Sequence, residues 1–83
     1  MPIFPIVKKH VDQLDRMGLL AIGAPPDEYD LESRRISEHI TRQSTPDEIA
    51  QIMTDVFAKA FGETENQETY QTAAKRIYED LHR

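Results

Sequence analysis

The side-chain chemistry open to this chain is narrow. Glu79 and His82 form one Glu-x-x-His step, the half-motif that, doubled across a helical bundle with two further glutamates, holds a di-iron or di-manganese centre. Here it occurs once, at a chain end expected to fray, so no metal role is expected of it. His10 falls among Ile6, Val7, Val11 and Leu14, on what reads as an apolar helical face. It could serve as a ligand or proton-transfer group, but a packed histidine with one hydrogen bond is the favoured reading. His39 has no ligand-type neighbour in sequence and is read the same way. There is no cysteine and no Gly-x-Ser-x-Gly elbow, and Ser33, Ser37 and Ser44 lie on or near one helix, so nucleophilic catalysis has no carrier. Gly18 and Gly23 sit in a loop without a phosphate-binding lysine, and acidic residues that would repel phosphate follow them. Neither a cofactor nor an enzymatic activity is expected.

What remains is charge. Asp27, Glu28, Asp30 and Glu32 are the densest cluster in the chain, behind Pro25 and Pro26, which should hold the backbone extended. Asp30 and Glu32 are explained by the start of a helix, where the dipole favours acids. Asp27 and Glu28 are the surplus that would face a basic partner, and Tyr29 between them and the helix is either an interface anchor or a ring packed under the loop with its hydroxyl in water. Glu63, Glu65 and Glu68 form a second, weaker acidic group, in which Glu65 serves a helix start.

The bulk numbers agree. Of 83 residues, 15 are acidic and 10 basic, a formal charge of −5, which disfavours nucleic acid as a ligand and favours a basic protein surface. A chain of this length makes one domain burying about 60–65% of its unfolded surface, so its stability should be modest. The absence of cysteine excludes disulfides and thiolate zinc and suits a reducing compartment. The apolar stretch from Met1 to Val7 contains two prolines and is followed, not preceded, by Lys8 and Lys9. That is neither a membrane span nor a secretory signal, so a cytoplasmic protein without membrane contact is expected.

Four helices account for most of the chain. The first should run from about Pro5 to about Asp15, with an outward Asp12–Arg16 pair and Gly18 as its stop. A second is expected from Asp30, as N-cap, to about Arg42, with a thin apolar face of Leu31, Ile36 and Ile40. Thr45-Pro46-Asp47-Glu48 is a capping box with proline in the first turn. It opens a third helix whose apolar stripe, Ile49 to Ala60, ends at Gly62. Thr64 with Gln67 is a weaker capping candidate for a fourth, carrying Tyr70, Ala73, Ala74, Ile77, Tyr78 and Leu81. Short connections make sequential antiparallel packing the economical arrangement: an all-α, bundle-like single domain over residues 1–83 with an ordered Gly/Pro loop between helices one and two. In that loop Leu19, Leu20 and Ile22 should plug the core, and Leu20→Ala would cost about 2–4 kcal/mol if Leu20 is fully buried.

Gly18-Leu19-Leu20, Gly23-Ala24-Pro25 and Asp27-Glu28-Tyr29-Asp30, in that order, resemble a small bacterial all-helical family of unknown function. Its members carry an Asp-Pro-x-Gly-Leu stretch leading into Gly-Ala-Pro-x-Asp-Glu-Tyr-Asp. The chain departs from that pattern at Arg16 and Met17, where a proline typically precedes the glycine, and at Leu14, where an aromatic is common. The resemblance implies an all-helical fold and brings no cofactor or catalytic residue; small acidic proteins that look like this family are plausible immunity partners of bacterial toxins. Two readings follow. The first is a non-enzymatic protein-binding module of immunity or antitoxin type, in which Asp27, Glu28 and Tyr29 meet a basic toxin. The second is a stand-alone helical regulatory or housekeeping protein, such as a homodimer, whose loop is purely structural.

Overall fold

The computed structural model describes residues 2–62 and 66–83. These form four α-helices, α1 (Ile3–Leu14), α2 (Asp30–His39), α3 (Pro46–Phe61) and α4 (Gln71–Leu81), with a 3-10 turn, Gln67–Tyr70, leading into the last. No strand occurs among the described residues. The expected all-α domain is therefore the observed one.

Each helix touches two others: α1 meets α2 and α4, and α3 meets α2 and α4, a closed ring of contacts around one core. Helices α1 and α2 run antiparallel, since Lys8 reaches Asp30 while Phe4 lies under the Arg34 guanidinium. The last helix departs from the simple antiparallel scheme. Gln67 Nε2 donates to the Asp47 carbonyl (3.4 Å) and Arg42 Nη1 to the Leu81 carbonyl (2.8 Å). Residues at the two ends of the α4 arm thus bond to the first turn of α3 and to the α2–α3 connection.

Local rules explain α3 best. The Thr45 hydroxyl accepts from the Glu48 amide and the Glu48 carboxylate from the Thr45 amide, closing the capping box, and Gly62 ends the helix at φ 71°. Its buried face, Ile49, Ala50, Met53 and Phe57, is the centre of the core. Phe57 stacks on Phe61 and Tyr70 and meets Tyr29 at 6.2 Å between ring centroids, so one ring joins α2, α3 and the turn before α4.

Elsewhere tertiary contacts displace the expected boundaries. Helix α1 begins at Ile3, with Pro5 inside the first turn, and stops at Asp15, not at Gly18. Asp15 takes the left-handed conformation (φ 44°), and its amide bonds back to the Val11 carbonyl. Asp12 pairs with Lys8 (2.8 Å), four residues earlier, in place of the pair expected with Arg16. Helix α2 ends at His39, and the residue at its N-cap is Tyr29; Asp30 is the first helical residue and makes no cap bond. The expected inner residue Leu31 is 56% exposed, whereas Glu32 and Ser33 are buried. Asn66 caps the 3-10 turn through the Glu68 amide. The Thr64 cap, with Glu63 and Glu65, lies outside the described residues.

The loop after α1 is half a core plug. Leu19 and Leu20 pack partly buried against the cluster, but Ile22 is 81% exposed and plugs nothing. Since Leu20 keeps solvent contact, the full burial on which the larger truncation cost rested is not met. Phe57→Ala should cost about 3–5 kcal/mol and leave little native population in so small a domain, while Ile22→Ala should stay within about 0.5 kcal/mol of the parent. Urea unfolding followed by circular dichroism checks both.

Candidate functional site

The loop between α1 and α2 is built inward from one residue. Tyr29 is fully buried, and its hydroxyl donates to Asp15 Oδ1 at 2.7 Å while accepting from the amides of Met17 (3.1 Å) and Leu19 (3.4 Å). A phenol can do both at once, having one proton and two lone pairs. The Asp15 carboxylate in turn accepts from the Leu20 and Ala21 amides, both at 3.0 Å. The Tyr29 hydroxyl above all, helped by those amides, holds the Asp15 carboxyl below its usual range. Burial first, and Asp15 next, push the Tyr29 hydroxyl up, so it remains a donor.

The outer half of the loop is pinned by Lys8. Its ammonium reaches Asp12 Oδ2 (2.8 Å), Asp30 Oδ1 (2.6 Å) and the Pro26 carbonyl (2.9 Å), three acceptors for three protons. Bonds to the two carboxylates raise the lysine pKa. Between these pins the Glu28 amide bonds to the Pro25 carbonyl and the Asp30 amide to the Asp27 carbonyl, two successive tight turns.

These contacts sort the three residues singled out from sequence. Asp27 and Glu28 are exposed, and neither carboxylate has a hydrogen-bond or ion-pair partner among the described residues. Tyr29 points the other way, and its hydroxyl is not in water but in the Asp15 node. As placed it holds the turn and offers a partner no surface, which corrects the anchor reading. Asp15 and Lys8, which do most of the positioning, carry no motif; the only signal was that each is a charged residue within reach of a loop rich in amides and carboxylates.

The histidines are dispersed. His10 is buried, with Nε2 at 2.6 Å from Asp80 Oδ2, tying α1 to α4, and its other ring nitrogen is buried without a partner among the described residues. The His10 bond foremost, with Lys9 beside it, holds the Asp80 carboxyl below its usual range. Arg83 adds an exposed contact at 3.2 Å. The His82 ring packs tilted against Tyr78, one turn away, and His39 borders a groove between α2 and α3. No group of three or more metal-ligating side chains is assembled among the described residues, and none of their helices is long and apolar enough to cross a membrane. Glu32 is buried at the start of α2, and that burial raises its pKa despite the nearby Arg35.

Comparison of the chain with protein-family models, curated proteins and solved structures gives no match. The reading of the surface therefore rests on its own geometry.

Two outcomes follow. Tyr29→Phe keeps the ring packing but strips the node of its donor and acceptor; it should cost about 1–3 kcal/mol in urea unfolding and speed amide exchange at Met17 and Leu19. For Asp80, the folded value lies below the unfolded one, so its contribution is complete above the usual carboxylate pKa of 3.8 and is lost as pH falls through the folded value. Asp80→Asn should therefore destabilise at pH 7, and its difference from the parent should shrink below about pH 4. A difference independent of pH would remove Asp80 ionisation from the account.

Proposed function

We propose that the protein is a non-enzymatic binding module that presents Asp27 and Glu28 to a basic protein surface, in the manner of an immunity or antitoxin protein covering a bacterial toxin. One observation carries the reading: two unpaired, exposed carboxylates stand on a turn whose neighbours on both sides are tied down, Pro26 and Asp30 by Lys8 and Tyr29 by Asp15. A turn already held in one conformation loses little freedom on binding, so the two charges act at full strength against a cationic partner. The net charge of −5 adds long-range attraction that speeds encounter and weakens with salt. Tyr29 belongs to the scaffold in this scheme, and the contact surface is the turn itself.

Affinity purification from the protein's own cells at low salt, followed by identification of retained basic proteins, tests this. A specific partner should be held by the parent and lost, at least about tenfold weaker, with Asp27→Lys plus Glu28→Lys. Glu68→Lys plus Glu79→Lys changes net charge equally at exposed positions elsewhere and should retain it. Equal loss in both double variants would reduce the effect to net charge, and retention in both would remove the turn from the interface.

A further inference from the structure

The groove between α2 and α3 carries the opposite charge to the rest of the molecule. It has a volume of ≈ 670 Å³, with Ile52 and Val56 as its floor and Arg35, His39 and Lys59 around its rim; Asp55 is the one acid lining it. Ile52 and Val56 pack on the core from outside and remain partly open to water. Arg35 and Lys59 are exposed, and neither makes a hydrogen bond or ion pair among the described residues. Asp55 forms no ion pair with either; its carboxylate accepts from Gln51 on its own helix (2.9 Å), and the lining as a whole holds two cations against one acid. Two cations against one acid over an apolar floor run counter to the chain's formal charge of −5.

The dimensions suit a helix. Leu31, 56% exposed, stands four residues before Arg35 and eight before His39, so the three form one inclined row on α2, about 12 Å long. Ile52 and Val56 are four apart on α3, about 6 Å along the axis, the repeat at which an incoming amphipathic helix presents two successive apolar side chains. Strand addition has no edge to use among the described residues, and the spacing of the groove floor suits helix-in-groove packing.

We infer that the α2–α3 groove is a docking site for an amphipathic helix of a partner protein, with two apolar residues four apart seated on Ile52 and Val56 and flanking acidic residues meeting Arg35 and Lys59. The basis is charge complementarity: an acidic helix meets both cations of the rim, whereas a basic one opposes them with like charge. This site does not depend on the acidic turn, which faces a partner of opposite sign.

The probe is a synthetic 16-residue helical peptide with leucines at two positions four apart and glutamates flanking them, titrated into isotopically labelled protein and followed by NMR. Saturable shifts should cluster at Arg35, His39, Ile52, Val56 and Lys59. The same peptide with lysine in place of glutamate should bind at least about tenfold more weakly, and Lys59→Glu and Arg35→Gln should each weaken the glutamate peptide while leaving the helical circular dichroism unchanged. Equal binding of the two peptides, shifts spread away from the groove, or no saturable shift at millimolar peptide would overturn the inference. So would sedimentation showing a dimer that Lys59→Glu dissociates, because the occupant would then be a second copy of this chain.

Discussion

A single buried hydroxyl governs the least regular part of this molecule. The chain between α1 and α2 contains two glycines and two prolines, Gly18, Gly23, Pro25 and Pro26, and such a segment has amides and carbonyls that no helix satisfies. The Tyr29 hydroxyl and the Asp15 carboxylate take up four of those amides, at Met17, Leu19, Leu20 and Ala21, and bond to each other. The Tyr29 ring meanwhile packs on Phe57 at the centre of the core. Loop order and core order are therefore one event: the ring cannot leave the core without releasing the loop.

Charge then decides which parts of the surface are stiff. Lys8 spends its three protons on groups from α1, the loop and α2, which binds the segment around Pro26 to the helices. His10 and Asp80 do the same between α1 and α4. The charges left over are not scattered evenly. Asp27 and Glu28 project ahead of α2, while Arg35 and Lys59 stand over the groove beside it. Their segregation by sign gives α2 an acidic approach and a basic flank.

Legibility from the sequence followed the range of the interactions involved. The start of α3 was plain because a capping box is closed by residues three apart, and its end because Gly62 needs only its own backbone freedom. The α3 and α4 stripes were plain because helical periodicity is local. The end of α1 near Asp15 was legible, but its cap was not: Gly18 looked like the stop, whereas Asp15 takes the left-handed conformation, its carboxylate held by Tyr29 fourteen residues away and by nearer loop amides. The thin face of α2 was misassigned for a related reason. With few apolar residues to orient it, its rotation is set by Lys8 against Asp30, Phe4 against Arg34 and Tyr29 against Phe57, and the outcome buries Glu32 and Ser33 and exposes Leu31. Of the candidate residues, Asp27 and Glu28 lie exposed, and Tyr29 takes the packed alternative instead of the anchor, with its hydroxyl bonded to the loop and not in water.

By itself the sequence determined the number and kind of elements, the central role of α3, the acidity of the segment before α2 and the lack of a recognisable catalytic or metal-binding motif, all of which depend on composition or on spacings within one turn of helix. Only the tertiary structure decided which way Tyr29 faces, that Asp15 and Lys8 organise the loop, that Ile22 lies outside, and that Arg35 and Lys59 meet across one groove. These depend on how burial of a shared core brings loop and helices together, at separations such as 14 residues for Tyr29 and Asp15 and 22 for Lys8 and Asp30, and no local propensity encodes the rotation of one helix against another.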